Sequence, residues 1–142
     1  MRRWALAALV ASVLTTSPAE GAKPRLRLSA PESVLTHELF RVKAAGRASS
    51  GGDLLQIWLD APKKCAKDAK RERAHEFGVS PTGSAIRILD TTVKKGTFAR
   101  RSGKTYVDSW GDVAACGYLT HPKGSTYRRA TVTIRVPSEI LR

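Results

Sequence analysis

The chain has 142 residues and a formal net charge of +13, and aromatic residues make up only 6% of it. This length suits one domain with one modest hydrophobic core and excludes a second domain of ordinary size. The charge predicts attraction to polyanions or anionic surfaces, while the few aromatic residues argue against a stacking platform for nucleic-acid bases.

The first 22 residues have the three parts of a secretory signal. A basic start at 1–3 is followed by an apolar run at 4–14 and by small and polar residues at 15–22. The apolar run is well short of the roughly 20 residues that a membrane-spanning helix needs. We therefore expect cleavage after Ala19 or Ala22 and export without a transmembrane anchor. Because the leader carries two arginines and one glutamate, its removal lowers the formal charge to +12.

Residues 23–142 contain short segments in which apolar and polar residues alternate, as in a half-buried β-strand. Six such segments, separated by turn-forming residues, lie at 25–29, 39–45, 54–60, 85–89, 111–119 and 130–136. Segment 97–101 is interpreted as a short strand with Phe98 inward, and 104–107 as another strand or an extended loop. The β-branched residues of 130–136 give the clearest strand signal.

Strand 54–60 has a predicted orientation. Its alternation places Leu55, Ile57 and Leu59 on one face and Trp58 on the other. If the strand lies in a two-sheet sandwich, the first three fill the core and Trp58 lies on the outer face, under a helix or at a contact surface. We accordingly expect replacement of Ile57 to cost more stability than replacement of Trp58.

From 62 to 77 the composition changes to good helix formers, with Gly78 placed to end a helix. We predict a helix of about four turns at 62–77. Its apolar stripe is thin, so packing alone gives it little reason to dock on a sheet. A covalent bond from Cys65, at the head of this helix, would hold the first turn in place.

The chain has two cysteines, Cys65 and Cys116. Export, the even number of cysteines and the lack of another use for either thiol predict an intramolecular disulfide between them. Cys116 lies in the mostly apolar segment 111–119, which we interpret as a central strand. The bond would therefore join the predicted helix to the sheet.

Six or seven short strands with one inserted helix predict a mainly β fold, a two-sheet antiparallel immunoglobulin-like sandwich. An independent β-barrel is the alternative, because the number of strands does not decide whether the sheet edges close. We assign 1–22 to the signal peptide and 23–142 to a single immunoglobulin-like domain.

Several features together resemble small secreted single-domain proteins of actinobacteria with an immunoglobulin-like fold. They are the signal peptide, an opening Leu-Arg-Leu-Ser-Ala-Pro strand, a cysteine leading an Ala-rich basic helix, a Cys-Gly-Tyr-Leu strand and a closing Thr-Val-Thr-Ile-Arg-Val strand. The resemblance implies the fold and no activity. Cys65 follows the third strand rather than lying in the second, and no Asp-x-Gly-x-Tyr-x-Cys motif leads into Cys116, so an antibody-like binding site is not expected.

No motif in the sequence is typical of a catalytic or metal site. His37, His75 and His121 are scattered, without a pair at metal-ligand spacing, and we expect each to be solvated. There is no Gly-x-Ser-x-Gly nucleophile elbow, and Gly-Lys-Thr at 103–105 lacks the upstream glycine of a phosphate-binding loop. We therefore expect no metal, no cofactor and no enzymatic activity.

Four aspartates keep one enzymatic alternative open. Asp53, Asp60, Asp108 and Asp112 lie far apart in the sequence, but two of them converging in space would suit glycoside hydrolysis. The simpler interpretation, which we favour, is that all four mark turns. A small secreted hydrolase is therefore only the last of our hypotheses.

Positive charge is the remaining surface feature. Six basic residues crowd the predicted helix: Lys63, Lys64, Lys67, Lys70, Arg71 and Arg73. A solvated helix face is the simpler interpretation, and a patch for an extracellular polyanion is the functional one. No groove-reading motif is present, so any nucleic acid would be bound through its phosphates and without sequence preference.

These observations predict a secreted, non-enzymatic immunoglobulin-like module that interacts with an unknown protein or cell-envelope component. A cationic binder of extracellular anionic polymers is the alternative. Both hypotheses place the protein outside the cell or in its envelope.

Overall fold

The computed structural model describes residues 23–61, 64–79 and 83–138. The leader at 1–22, its cleavage and Lys63 lie outside these ranges. The elements in chain order are β1 (Arg25–Ser29), β2 (Lys43–Ala48), β3 (Asp53–Asp60), α1 (Ala69–Arg73), β4 (Ile86–Val93), β5 (Gly96–Arg101), β6 (Val113–Thr120) and β7 (Thr126–Ile134). Within the described part of the chain, no helix is long and apolar enough to span a membrane.

The strands form two sheets. The first has three strands in the order β1-β2-β5 and the second has four in the order β4-β3-β6-β7. Every pair of neighbouring strands is antiparallel. The predicted two-sheet antiparallel sandwich is therefore confirmed, and the barrel alternative is wrong because the strands divide into two sheets.

The main core lies between the two sheets. Leu55 and Ile57 of β3 are fully buried in it, with Leu59 beside them. From the three-stranded sheet, β2 contributes Ala44 and β5 contributes Phe98. The inward orientation predicted for these β3 and β5 residues is confirmed, because alternation along a strand is a local property of the sequence.

The helix is much shorter than predicted. We expected about four turns at 62–77, but α1 spans the five residues Ala69–Arg73. It begins at Asp68, whose carboxylate accepts a hydrogen bond from the backbone N–H of Arg71 at 2.8 Å. An N-cap residue fixes a helix start, and the thin apolar stripe gives a longer helix too little surface to bury.

A second, smaller core lies on the outer face of the four-stranded sheet. It consists of Trp58, Cys116 and Tyr118 from β3 and β6, covered by Ala69 of α1 and by Ala85. The outward orientation predicted for Trp58 is confirmed. Its side chain is nevertheless fully buried, because segment 64–79 lies over this face of the sheet.

Candidate functional site

A disulfide joins segment 64–79 to the four-stranded sheet, as predicted. Cys65 and Cys116 are 51 residues apart in sequence, and their Cα atoms are 5.5 Å apart. Cys116 is fully buried and lies directly opposite Trp58 in the strand register. The bond therefore ties the start of the covering segment to the middle of the sheet.

Two buried carboxylates and one imidazole meet beneath this segment. Asp60 ends β3, Glu72 lies in α1 and His75 follows α1. The Nδ1 atom of His75 is 3.4 Å from Oδ2 of Asp60 and 3.8 Å from Oε2 of Glu72. Both carboxylates are fully buried, whereas 43% of the His75 side chain is exposed. We call these three residues the acid-histidine cluster.

One oxygen of each carboxylate is held by the protein. Oε1 of Glu72 accepts the backbone N–H of Ala66 at 2.8 Å and lies 3.0 Å from the hydroxyl of Tyr118. Oδ1 of Asp60 accepts the hydroxyl of Ser84 at 2.9 Å. Within the described residues, the other oxygen of each carboxylate has no hydrogen-bond partner, and the imidazole Nδ1 between them has none either.

The sequence predicts solvated histidines, and the His75 side chain is half-exposed, but its Nδ1 atom is buried between the two carboxylates. The three members of the cluster come from a strand end, a helix and the turn after it, so the sequence does not show them together. The available signal was the Glu-x-x-His spacing at 72–75, since residues three apart on a helical turn lie on one face. The third member, Asp60, comes from β3, and only the fold brings it close.

Glu72 is the member of the acid-histidine cluster whose pKa is shifted. Burial and, after it, the neighbouring Asp60 carboxylate together raise the pKa of Glu72 from 4.5 to about 7. Burial and the adjacent Glu72 also raise the pKa of Tyr118, so its hydroxyl stays protonated at physiological pH. Two carboxylates that share a buried site favour keeping one proton between them.

This pKa predicts that the protein becomes less stable as the pH rises. The native state holds the Glu72 proton until about pH 7, while the unfolded chain releases it near pH 4.5. The stabilisation is complete below the lower value and is lost on passing the higher one. We expect the free energy of unfolding to fall by up to about 3 kcal/mol between about pH 5 and pH 8. Urea titration at each pH measures it, with a chelator present so that no metal ion competes with the proton.

Glu72→Gln is the matched variant for this measurement. The Gln carbonyl accepts the same donors, and its uncharged amide can donate a hydrogen bond to Asp60 as a protonated carboxyl group can. Asp60, His75 and Tyr118 face the same position and remain unchanged. The variant should lose most of the pH dependence, and an unchanged slope would show that His75 or another group is its source.

A second set of polar contacts, next to the acid-histidine cluster, holds segment 64–79 against the sheet. The indole N–H of Trp58 donates to Oε2 of Glu76 at 2.6 Å, and Nε of Arg87 lies 3.1 Å from the same oxygen. The Arg87 guanidinium is 5.8 Å from the centre of the Trp58 ring. These contacts connect the end of segment 64–79 to β3 and β4.

Asp53 and Asp60 do not form the catalytic pair considered above. Asp53 and Asp60 begin and end β3, which places them roughly 23 Å apart at 3.3 Å per residue. Both are fully buried rather than in exposed turns, which corrects our interpretation, and Asp53 accepts hydrogen bonds from Ser50 and Tyr127. Asp108 and Asp112 are exposed.

The predicted helical patch is only partly helical. Of its members, Lys70, Arg71 and Arg73 lie in α1, Lys64 and Lys67 precede it, and Lys63 lies outside the described residues. The five described side chains are exposed, and Arg71 forms an ion pair with Asp68 at 3.0 Å. Because α1 is so short, these residues do not line one continuous helical face.

A second concentration of positive charge appears only in the folded chain. The outward-facing positions of the three-stranded sheet carry five basic residues, which we call the basic sheet face: Arg25, Arg27, Lys43, Arg47 and Arg101. Arg25 lies directly opposite Arg47, and Lys43 lies directly opposite Arg101. The other outward positions hold Ser, Ala and Thr, so these strands place no acidic residue on this face.

The chain matches no model of a known protein family, and no curated protein matches it. Among solved structures, it is similar to the CARDB domain of the PF1109 protein from Pyrococcus furiosus, crystallised in complex with di-metal ions. That likeness has a TM-score of 0.50 and 11% identity, and it covers 89% of this chain and 95% of that one. The chain has an immunoglobulin-like fold. At this identity, the likeness shows the fold alone.

Two further solved structures are similar. The solution structure of the same CARDB domain gives a TM-score of 0.50 at 10% identity, covering 80% of this chain and 93% of that one. The PKD domain of an M14-like peptidase from a Thermoplasmatales archaeon gives a TM-score of 0.48 at 9% identity, covering 82% of this chain and 99% of that one.

In this immunoglobulin-like domain, the two polar features lie on different sheets. The basic sheet face lies on the outer side of the three-stranded sheet. The acid-histidine cluster lies on the outer side of the four-stranded sheet, under segment 64–79. Changes at one feature can therefore be tested without disturbing the other.

Proposed function

We propose that this chain is an exported, non-enzymatic interaction domain that binds linear anionic polymers through its basic sheet face. The observation that carries the proposal is the direct opposition of like charges on neighbouring strands, Arg25 with Arg47 and Lys43 with Arg101. Export is supported by the leader at 1–22 and by a disulfide of the kind that persists in oxidising compartments.

Like charges that face each other across a sheet destabilise it, whereas opposite charges stabilise it. The chain carries two such repulsive pairs, and no acidic side chain on these three strands offsets them. The ion pairs of the described residues lie elsewhere, for instance between Arg87 and Glu76. An anionic polymer lying on this face would remove the repulsion. The like-charge pairs therefore destabilise the free protein but favour the binding of a polyanion.

The spacing of the charges suits an extended polymer. Neighbouring strands are about 4.8 Å apart and alternate residues on one strand about 6.8 Å apart. The outward residues between the charges are small, among them Ser29, Ala45 and Ala99. Long basic side chains can therefore reach successive phosphate, sulfate or carboxylate groups, with counterion release as the driving force. This face has no aromatic residue to stack on bases, so we propose recognition by charge without sequence preference.

Charge reversal tests the proposal. We compare a sheet variant, Arg25→Glu with Arg27→Glu and Lys43→Glu, with a helix-segment variant that reverses Lys64, Lys67 and Lys70. Both variants change the net charge equally, and all six positions are exposed. In salt titrations with single-stranded DNA, the sheet variant should lower the slope of log affinity against log salt by about 2, at roughly 0.7 per lost contact.

The helix-segment variant should keep most of the wild-type slope. Heparin should give the same ranking of the three proteins, because charge rather than chemical identity determines the binding. If the helix-segment variant loses more affinity than the sheet variant, the binding surface is the patch around α1 instead. Equal losses of affinity in the two variants would show that net charge alone controls binding and would contradict a defined binding surface.

The sheet variant has a second readout in the absence of polymer. Arg25→Glu faces Arg47 and Lys43→Glu faces Arg101, so both repulsive pairs become attractive. We expect its free energy of unfolding to rise by about 0.5 to 1 kcal/mol at low salt. A more stable protein that binds polymer less tightly cannot owe its lost affinity to misfolding.

A further inference from the structure

We infer that Asp60, Glu72 and His75 form a binding site for one divalent transition-metal ion, with zinc the best match to the ligand set. The site lies on the outer side of the four-stranded sheet and is independent of the proposed polymer-binding face. Each residue offers one ligand atom, and the three atoms all lie within 4.8 Å of one another.

The distances already approach those of a metal site. Tetrahedral zinc, with bonds of about 2.0 to 2.1 Å, places its ligand atoms about 3.3 Å apart. Nδ1 of His75 is 3.4 Å from Oδ2 of Asp60 and 3.8 Å from Oε2 of Glu72. The His75 nitrogen therefore needs to move by only a few tenths of an ångström, and the two carboxylate oxygens lie within 4.8 Å of each other.

Buried ligand atoms without hydrogen-bond partners indicate a site for a cation. Asp60 and Glu72 are fully buried, and each has one oxygen without a hydrogen-bond partner among the described residues. Buried polar atoms left without partners are costly. Their unpaired oxygens face the same Nδ1 atom of His75, which is also unpaired. One metal ion would satisfy all three atoms at once.

The surroundings hold the ligands in place. The second oxygen of Glu72 is fixed by the Ala66 N–H and the Tyr118 hydroxyl, and the second oxygen of Asp60 by the Ser84 hydroxyl. Partners of this kind orient ligands and typically strengthen metal binding by about 10- to 100-fold. The chain thus supplies both the ligands and the groups that orient them.

The ligand chemistry favours zinc over calcium or magnesium. Calcium and magnesium take oxygen ligands in six or more positions, whereas zinc takes four ligands and readily combines imidazole with carboxylates. Three protein ligands leave the fourth position for water. The exposed part of His75 gives the ion a route from solvent.

The competing explanation is a proton in place of the metal. A proton between the two carboxylates, or one on His75, would occupy the same lone pairs, and no metal would then be needed. The two explanations differ in whether the chelator-treated protein takes up zinc in a stoichiometric, His75-dependent way.

The test uses the exported protein with its disulfide intact, treated with a chelator and then dialysed. Titration with Zn²⁺ in a calorimeter should show one ion per chain, and Co²⁺ should give the visible absorption of a tetrahedral site. His75→Gln should weaken Zn²⁺ binding at least about 100-fold, as loss of one of three ligands should exceed the effect of an orienting partner. Its half-exposed position allows the variant to fold, which circular dichroism checks.

His121→Gln is the matched control, because His121 also lies beside a buried aspartate, at 3.8 Å from Oδ1 of Asp53. It should bind Zn²⁺ as the wild type does. Glu72→Gln, which retains the hydrogen-bond acceptor, should also lose binding. No stoichiometric uptake by the wild type, or uptake that survives in His75→Gln, overturns the inference. Neither result affects polymer binding, which is measured separately.

Discussion

Removing the Cys65–Cys116 disulfide is expected to lower the free energy of unfolding by about 4 kcal/mol. The bond closes a loop whose ends are 51 residues apart in sequence, and the chain-entropy model gives about this value for a loop of that length. Small domains are stable by only about 5 to 15 kcal/mol in total. The double variant Cys65→Ala with Cys116→Ala, followed by denaturant titration, measures the loss.

Without the disulfide, segment 64–79 should be the first part of the protein to detach from the sheet. Apart from the disulfide, α1 offers only Ala69 to the small core, so the segment has little apolar contact with the sheet. Its detachment would expose Trp58, while Trp110 is 70% exposed from the start. In a Trp110→Phe background, the fluorescence of the cysteine-free variant should therefore shift to the red. A loss of stability below about 1 kcal/mol would contradict the loop-closure explanation.

Trp58→Ala should destabilise the protein by about 3 to 5 kcal/mol, the usual cost of truncating a large buried aromatic residue. The side chain is fully buried and contacts Tyr118 edge to face, with ring centres 5.7 Å apart. Its loss also removes the indole donor to Glu76. Denaturant unfolding of the purified variant gives the value.

Two variants sharpen this measurement. Ile57→Ala opens a cavity in the main core and should cost about 2 to 5 kcal/mol, so Trp58 should cost at least as much as Ile57. This ranking reverses the one that the sequence alone predicted. Trp58→Phe keeps an aromatic ring but loses the donor to Glu76. Its free energy of unfolding should therefore lie between those of the wild type and Trp58→Ala. A cost below about 1 kcal/mol for Trp58→Ala would show that segment 64–79 does not cover the sheet.

The sequence predicted those features of the fold that depend on local patterns. Alternation in β3 correctly divided Leu55, Ile57 and Leu59 from Trp58, because successive side chains of any strand point to opposite faces. The burial of Trp58 does not follow from alternation alone, which left a covering helix and a contact surface as the two possibilities. It depends on a covering segment that is held by a bond to a strand 51 residues away.

The candidate sites depend on contacts that are distant in sequence. Alternating basic residues were visible in β1, but the basic sheet face requires the register of β1 with β2 and of β2 with β5. The basic residues around α1 are close together in sequence, so composition alone indicates that segment and not the sheet face. The helix itself was overestimated because favourable composition was counted without the N-cap at Asp68, which starts the helix late.

Mapping the polymer contact on the protein tests the central claim most directly. The protein is labelled with ¹⁵N and titrated at low salt with a heparin oligosaccharide of defined length, while backbone amide shifts are recorded by NMR. We predict that the largest shifts lie in β1, β2 and β5, at and beside the five basic residues of the sheet face. Largest shifts in segment 64–79, or shifts spread evenly over all basic residues, would contradict the assignment of this face as the binding surface.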